Sequence, residues 1–154
     1  MSFPPLSRQA LHQALLASNS ATSVLENLTG LTATAWRKTP DDSAPPPAPY
    51  QEFAGFPLIH RHIELRLGAT TVSDADLWYP PHNLPPSMVT TLKTTDIPFG
   101  HIVRPLNPRR EMLVVKLGAN GDPYALEHHV AIHADSGPIA LVIERYRWQS
   151  VTLP

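Results

Sequence analysis

Cysteine is absent from the 154 residues, which excludes disulfides, thiolate metal sites and a cysteine nucleophile together. Charge is scarce: Asp, Glu, Lys and Arg make up 16% of the chain, against about 25% in an average soluble domain. Neither sign dominates, because 12 basic and 13 acidic side chains leave a formal charge of −1. A chain so balanced has no electrostatic footprint for nucleic acid or an anionic membrane, so neither is expected as a partner. An apolar run of about 18 residues is missing too, which excludes a helical membrane span. The stretch Met1–Leu16 holds Pro4 and Pro5 instead of a basic-then-apolar leader, making the cytoplasm the default location. No glycine-rich phosphate loop and no serine elbow occur.

What is present points to one core. Hydrophobic residues reach 42%, and the length suits a single domain over residues 1–154. The spacing predicts a short helix over Pro5–Leu16, with Ser7 as its cap, and a second over Ser20–Leu28. In the second, Ser23 and Glu26 have capping-box spacing and Gly30 ends the helix. Leu31–Lys38 alternates and reads as a strand. Thr39–Pro57, with Pro45, Pro46 and Pro47 in a row, is a stiff extended connection. Leu58–Leu67 and Thr70–Trp78 form a hairpin around Gly68-Ala69. Leu84–Lys93 is expected to be helical, with Pro85 and Pro86 in its first turn, and a short helix begins near Pro98. Strands over Glu111–Leu117, Tyr124–His133 and Pro138–Trp148 close the chain. Six strands with helices at the front and middle give an α+β domain around a mostly antiparallel six-stranded sheet, its helices covering an enclosed pocket.

Alternation along strands then picks out polar residues in apolar company. Arg61 shares a face with Ile59, Ile63, Leu65 and Leu67. Glu144 shares one with Ala140, Val142 and Tyr146, and His128 one with Val130, Ile132 and Ala134. Buried charge is expensive unless it is paired or meets a ligand. Two readings stand: Arg61 and Glu144 pair with each other, or they line a pocket where Arg61 binds a carboxylate and Glu144 handles a proton or a hydroxyl. His128 reads first as a satisfied core histidine. His60, His62 and Glu64 alternate on the opposite face; metal is not expected there, because no further ligand is identifiable. Arg109-Arg110, after Asn107-Pro108, reads as an ordinary solvated basic turn.

Several blocks in order then resemble the chorismate pyruvate-lyase family. Asn19–Glu26 is similar to the family's early pocket-closing helix, and Arg61-His62-Ile63-Glu64-Leu65 to the strand with the carboxylate-binding arginine. Ile97-Pro98-Phe99-Gly100 resembles the family's Pro-Leu-Gly element. Ser136-Gly137-Pro138, followed by Leu141-Val142-Ile143-Glu144, resembles its closing hairpin. The likeness runs from Leu6 to Trp148. It implies a cofactor-free lyase that eliminates pyruvate from chorismate, or a related cyclic carboxylate, to leave 4-hydroxybenzoate. Arg61 would hold the ring carboxylate, Glu144 would be the catalytic group, backbone at Ala21 and Phe99 would complete the site, and His128 would assist. The chain departs from the family at Asp76, which stands where another arginine is usual and would repel a dianion if it faced the pocket. Arg66, Arg104 or His128 would then have to compensate.

The same fold also serves as the effector-binding domain of GntR-type transcription regulators, so a non-catalytic module binding an aromatic acid is the rival reading. A recruited enzyme of the same fold, with a different elimination or cyclisation, is the third. No DNA-binding helix pair precedes the core in this sequence, which argues against a complete regulator.

Overall fold

The computed structural model describes residues 6–55 and 57–152; the expectations for Met1–Pro5 lie outside them. β1 (Leu6–Ser7) leads into α1 (Arg8–Leu16), and α2 (Ala21–Thr29) precedes β2 (Ala33–Arg37). β3 (Ile59–Leu67) and β4 (Thr70–Tyr79) follow a 3-10 segment, then come α3 (Pro86–Thr94) and the single turn α4 (Phe99–Ile102). β5 (Arg109–Leu117), β6 (Leu126–Ala134), β7 (Gly137–Tyr146) and β8 (Val151–Thr152) complete the order. Six strands form an antiparallel sheet in the order β2-β3-β4-β7-β6-β5. β1 and β8 pair in parallel as a separate ribbon. The expected α+β fold with a six-stranded antiparallel sheet is the one observed.

Local signals account for most element ends. Ser7 caps α1 by accepting from Ala10 N. Gly30 ends α2 in the left-handed region at φ 72°, where a side chain would be strained. Gly68, at φ 60°, turns the two-residue β3–β4 hairpin that pairs Leu67 with Thr70. The expected capping box does not form: Ser20, not Ser23, caps α2 and accepts from Ser23 N at 3.1 Å. Glu26 is therefore free to receive Ala33 N at 2.8 Å and His101 Nε2 at 2.7 Å, tying α2 to β2 and α4.

All four helices contribute to the layer on one face of the sheet. Leu11 and Leu15 of α1 and Val24 and Leu25 of α2 pack on Leu65, Leu67, Leu126 and Tyr146. Leu92 of α3 and Phe99 and Ile102 of α4 pack on Ile63, Leu77, Val130 and Val142. Each such Leu contributes about 1.5–3 kcal/mol by leaving water. On the opposite face Tyr50, Phe53 and Leu58 cover Trp78, Ala131, Leu141 and Ile143. The Thr39–Pro57 connection is thus not wholly extended, because its 3-10 turns at Ala48–Gly55 supply that cover.

The remainder of the outer face is a lattice of charge. Asp76 accepts from His60 Nε2 at 2.8 Å and Arg145 Nη1 at 2.9 Å, and Arg145 also reaches Glu127 at 3.0 Å. Arg147 grips Asp74 through two nitrogens and approaches Glu64 at 3.3 Å. Burial alone would raise the Asp76 and Asp74 carboxyls, but these partners hold both below the usual carboxylate range. His60, His62 and Glu64 occupy this face, as alternation required. Among the described residues no group of three or more His, Asp or Glu side chains converges as a metal site.

Candidate functional site

The helix layer does not close completely on the sheet. Between them lies a cavity of ≈ 70 Å³. Its floor is apolar, made by Ile63, Leu65, Ala75, Leu77, Ile132 and Val142. Its lid is two backbone turns: Asn19–Thr22, which opens α2, and Pro98–Gly100, which opens α4. The first amides of a helix have no partner within it, so Ala21 and Thr22 present donors at this edge. Gly100 permits the turns to meet. A Cβ there would stand 3.3 Å from both Ser20 Oγ and Thr22 Oγ1, tighter than ordinary contact.

One end of the cavity is polar. Arg110 of β5 points inward and binds Glu144 of β7 through two nitrogens, Nη2 to Oε1 at 2.9 Å and Nη1 to Oε2 at 3.3 Å. Their side chains are 7% and 10% exposed. Tyr146 donates its hydroxyl to Glu144 Oε1 at 3.3 Å. Burial works against the charge on Arg110, yet the adjoining Glu144 outweighs it and raises the guanidinium pKa. Burial, then the Glu144 charge, pushes the Tyr146 phenol well up, so it stays a neutral donor. Arg110 Nε is buried and has no hydrogen-bond partner among the described residues.

Across the ladder from Glu144, on β6, lies His128. It is fully buried, and its Nε2 meets His12 Nδ1 of α1 at 3.0 Å. Burial, reinforced by His12 and Arg110 and opposed by Glu144, lowers its pKa to about 4. The imidazole is neutral at physiological pH.

Of the residues singled out in the sequence, Glu144, Ala21 and Phe99 line the cavity, whereas Arg61 and His128 are not among its lining residues. Arg61 is 1% exposed and sits near Tyr79. Its Nε stands 3.8 Å from Asp41, and Nε and Nη2 make no hydrogen bond among the described residues. Burial first, then Arg37, lowers its pKa, with Asp41 opposing. Arg61 and Glu144 do not pair. Asp76 belongs to the outer lattice and so repels nothing in the cavity. Arg66 is also engaged elsewhere, bonding Glu64 and lying over the Trp36 ring. Arg104 bonds His101 and Ser23 beside the lid.

The residue that sequence reasoning missed is Arg110. The sequence places it in a solvated turn, but β5 begins at Arg109, two residues before the expected start. Once the strand includes it, Arg110 shares a face with Met112, and that alternation was the available signal.

No family model matches the chain. The uncharacterized protein y4mC of Sinorhizobium fredii is 34% identical over 112 residues, 58% of this chain and 47% of that protein. The chain therefore spans about half the length of the curated relative it matches. Among solved structures, the effector domain of PhnF from Mycobacterium smegmatis is similar in fold, with a TM-score of 0.61 at 15% identity, covering 88% of this chain and 93% of that one. PhnF of the same organism gives 0.60 at 15% identity over 96% and 81%. The ligand-binding domain of a putative GntR-family transcriptional regulator from Bordetella bronchiseptica gives 0.51 at 13% over 77% and 84%.

These neighbours overturn the lyase expectation, with its chorismate, pyruvate and 4-hydroxybenzoate chemistry, because they are effector and ligand-binding domains of regulators. The geometry supplies a physical reason: Glu144, the expected catalytic group, is held by Arg110 and Tyr146, and the expected carboxylate anchor, Arg61, is not in the cavity wall. The expectation of no nucleic-acid association is corrected by the same neighbours. Among the described residues no helix is long and apolar enough to cross a membrane. What the comparisons establish is the fold, which is that of GntR-type effector domains and is chorismate lyase-like.

Proposed function

We propose that this chain is an effector-binding module of the GntR-regulator type, which senses a small polar molecule in the cavity between helices and sheet. The observation that carries the reading is the buried Arg110 Nε, unpartnered at a cavity whose lid is the amino end of α2. A cation and a set of unpaired amides favour an anionic group on the ligand. Glu144 beside them favours a hydroxyl or amine on the same molecule, since an acceptor needs a donor. Backbone at Ala21 and Phe99 would complete the contacts. Arg61 and His128, which are not among the lining residues, would act by fixing the strands that form the cavity.

In this reading residues 1–154 are one effector unit working in the cytoplasm. Nucleic acid is met through a DNA-binding segment of the kind that GntR-type regulators carry, and the small anionic ligand changes how that segment is held. Support comes from the fold likeness to the PhnF effector domain and the Bordetella bronchiseptica ligand-binding domain.

The test is calorimetric titration with inorganic phosphate and with small hydroxycarboxylates. At least one probe should bind the parent chain, and Arg110→Met should abolish that binding while circular dichroism still reports the native sheet. Binding that survives Arg110→Met in a folded protein, or no binding by any probe of either class, overturns the reading.

A further inference from the structure

Two buried polar side chains away from the cavity have orphaned donors, and they are neighbours. Arg61 Nε and Nη2 and the Tyr79 hydroxyl make no hydrogen bond among the described residues. The two residues are 1% and 0% exposed. The β3–β4 register sets Arg61 opposite Leu77, two residues from Tyr79 on the face that carries the helices. A guanidinium so placed is costly, and each unpaired donor adds to the cost.

The pair lies behind a surface groove of ≈ 640 Å³ whose walls include Arg37, Asp41, Asp42, Ile59 and Lys93. Asp41 connects the two, because it lines the groove and its Oδ1 stands 3.8 Å from Arg61 Nε. That carboxylate is already committed to Arg37, accepting from Nε at 3.0 Å and Nη2 at 3.5 Å. Asp42 is turned to the outer face, where it meets His60 Nδ1 at 2.8 Å. Three cations, Arg37, Arg61 and Lys93, therefore share one carboxylate. The cluster is short of negative charge.

Every orphan here can donate. A guanidinium has no acceptor atom. The Tyr79 phenol keeps its proton, since burial, then Asp41, raises its pKa against the pull of Arg61 and Arg37. The occupant that suits these groups accepts several hydrogen bonds, donates none and carries one negative charge. Water fails on the last two counts, because it must place protons of its own on acceptors. The donors lie behind Asp41, so the occupant is also compact.

We propose that Arg61 and the Tyr79 hydroxyl form a halide site, holding a chloride-class anion between them beside Asp41 and Arg37. The anion neutralises the buried guanidinium and ties β3 and β4 to the Thr39–Pro57 connection. The site is separate from the Arg110 cavity and does not depend on that cavity taking an effector.

The test follows melting of the full chain as sodium chloride replaces sodium gluconate at constant ionic strength, with chloride NMR line width as a direct record of exchange. A site filled only in the folded state should raise the melting temperature by about 3–6 °C once chloride reaches about ten times its Kd. Bromide should do the same. Arg61→Met should lose both responses. Tyr79→Phe should weaken chloride binding about tenfold or more. Asp41→Asn should tighten it about tenfold or more by removing a like charge, a gain that misfolding cannot produce. If Arg61→Met fails to fold, the Tyr79 and Asp41 variants decide alone. Arg110→Met should keep the response, and it is the control because Arg110 Nε is also unpartnered. Melting and line width that ignore chloride, as a site filled by water would, overturn the proposal. So does a response that survives Arg61→Met, disappears in Arg110→Met, or is unmoved by both Tyr79→Phe and Asp41→Asn.

Discussion

At the residue scale the molecule turns on how far four buried polar side chains are satisfied. Glu144 and Arg110 pair through two guanidinium nitrogens, which leaves Arg110 Nε unpartnered among the described residues. Removing one partner leaves an uncompensated buried charge, which typically destabilises by about 3–5 kcal/mol, whereas replacing both by apolar groups is far milder. Urea unfolding should therefore show a large loss for Glu144→Leu and a much smaller one for Glu144→Leu/Arg110→Met. Arg61 is the opposite case, with its closest acidic neighbour, Asp41, at 3.8 Å. Arg61→Met keeps length and sheds the desolvation penalty, so stability should hold or rise by about 0–2 kcal/mol.

His128 sets a pH dependence. Its folded pKa, about 4, lies below the ordinary value of 6.5. The unfolded chain therefore binds the proton first as pH falls, and stability declines from about pH 6.5 down to about 4, then levels for this group. The loss should be about 1–3 kcal/mol across that window, with the slope reduced in His128→Gln. Denaturant midpoints taken at half-unit pH steps would show it. Equal slopes in the two proteins would remove His128 as the cause.

At the element scale, the sequence was legible wherever a local rule acts alone. Gly30, Gly68 and the paired prolines at the start of α3 mark ends that the structure keeps. The faces of Arg61, His128 and Glu144 could be read because period-two alternation needs no knowledge of the partner strand. What alternation cannot supply is the partner. That Glu144 meets Arg110 depends on β5 and β7 flanking β6, a long-range order no short window contains. Ser20 displaced Ser23 as the cap because both are serines within one turn, and the tertiary demand on Glu26 decided between them. Gly118 carries a constraint of the same long-range kind: a Cβ there would fall 1.9 Å from Tyr124 O across the β5–β6 connection. Gly118→Ala should lower stability by about 1–3 kcal/mol through forced backbone movement, measurable as a fall in melting temperature.

At the scale of the whole molecule, the two sides of the sheet have different tasks. The outer side is a mutually neutralising lattice in which Asp74, Asp76, Glu64 and Glu127 are each paired. The inner side holds the helices and the cavity. Sequence blocks resembling a lyase were real features of that inner side, since the lid turns and the Glu144 strand do line the cavity. They reported architecture, and the chemistry assigned to them did not follow, because one fold hosts binding and catalysis alike. The decisive residue, Arg110, lay outside every block.

The short ribbon of β1 and β8 carries one more consequence. Leu6 lies beside Val151 and Ser7 beside Thr152, so the first and last described strands are neighbours although the rest of the chain separates them. Adjacent ends are the condition under which a protein survives being rewired. A circular permutant that links the two ends through a few glycines and serines, and opens at the exposed Asn120-Gly121 turn, should refold to the same sheet and retain its cavity. Proton–nitrogen correlation spectra of the permutant and the parent chain would superpose outside the new linker and the cut.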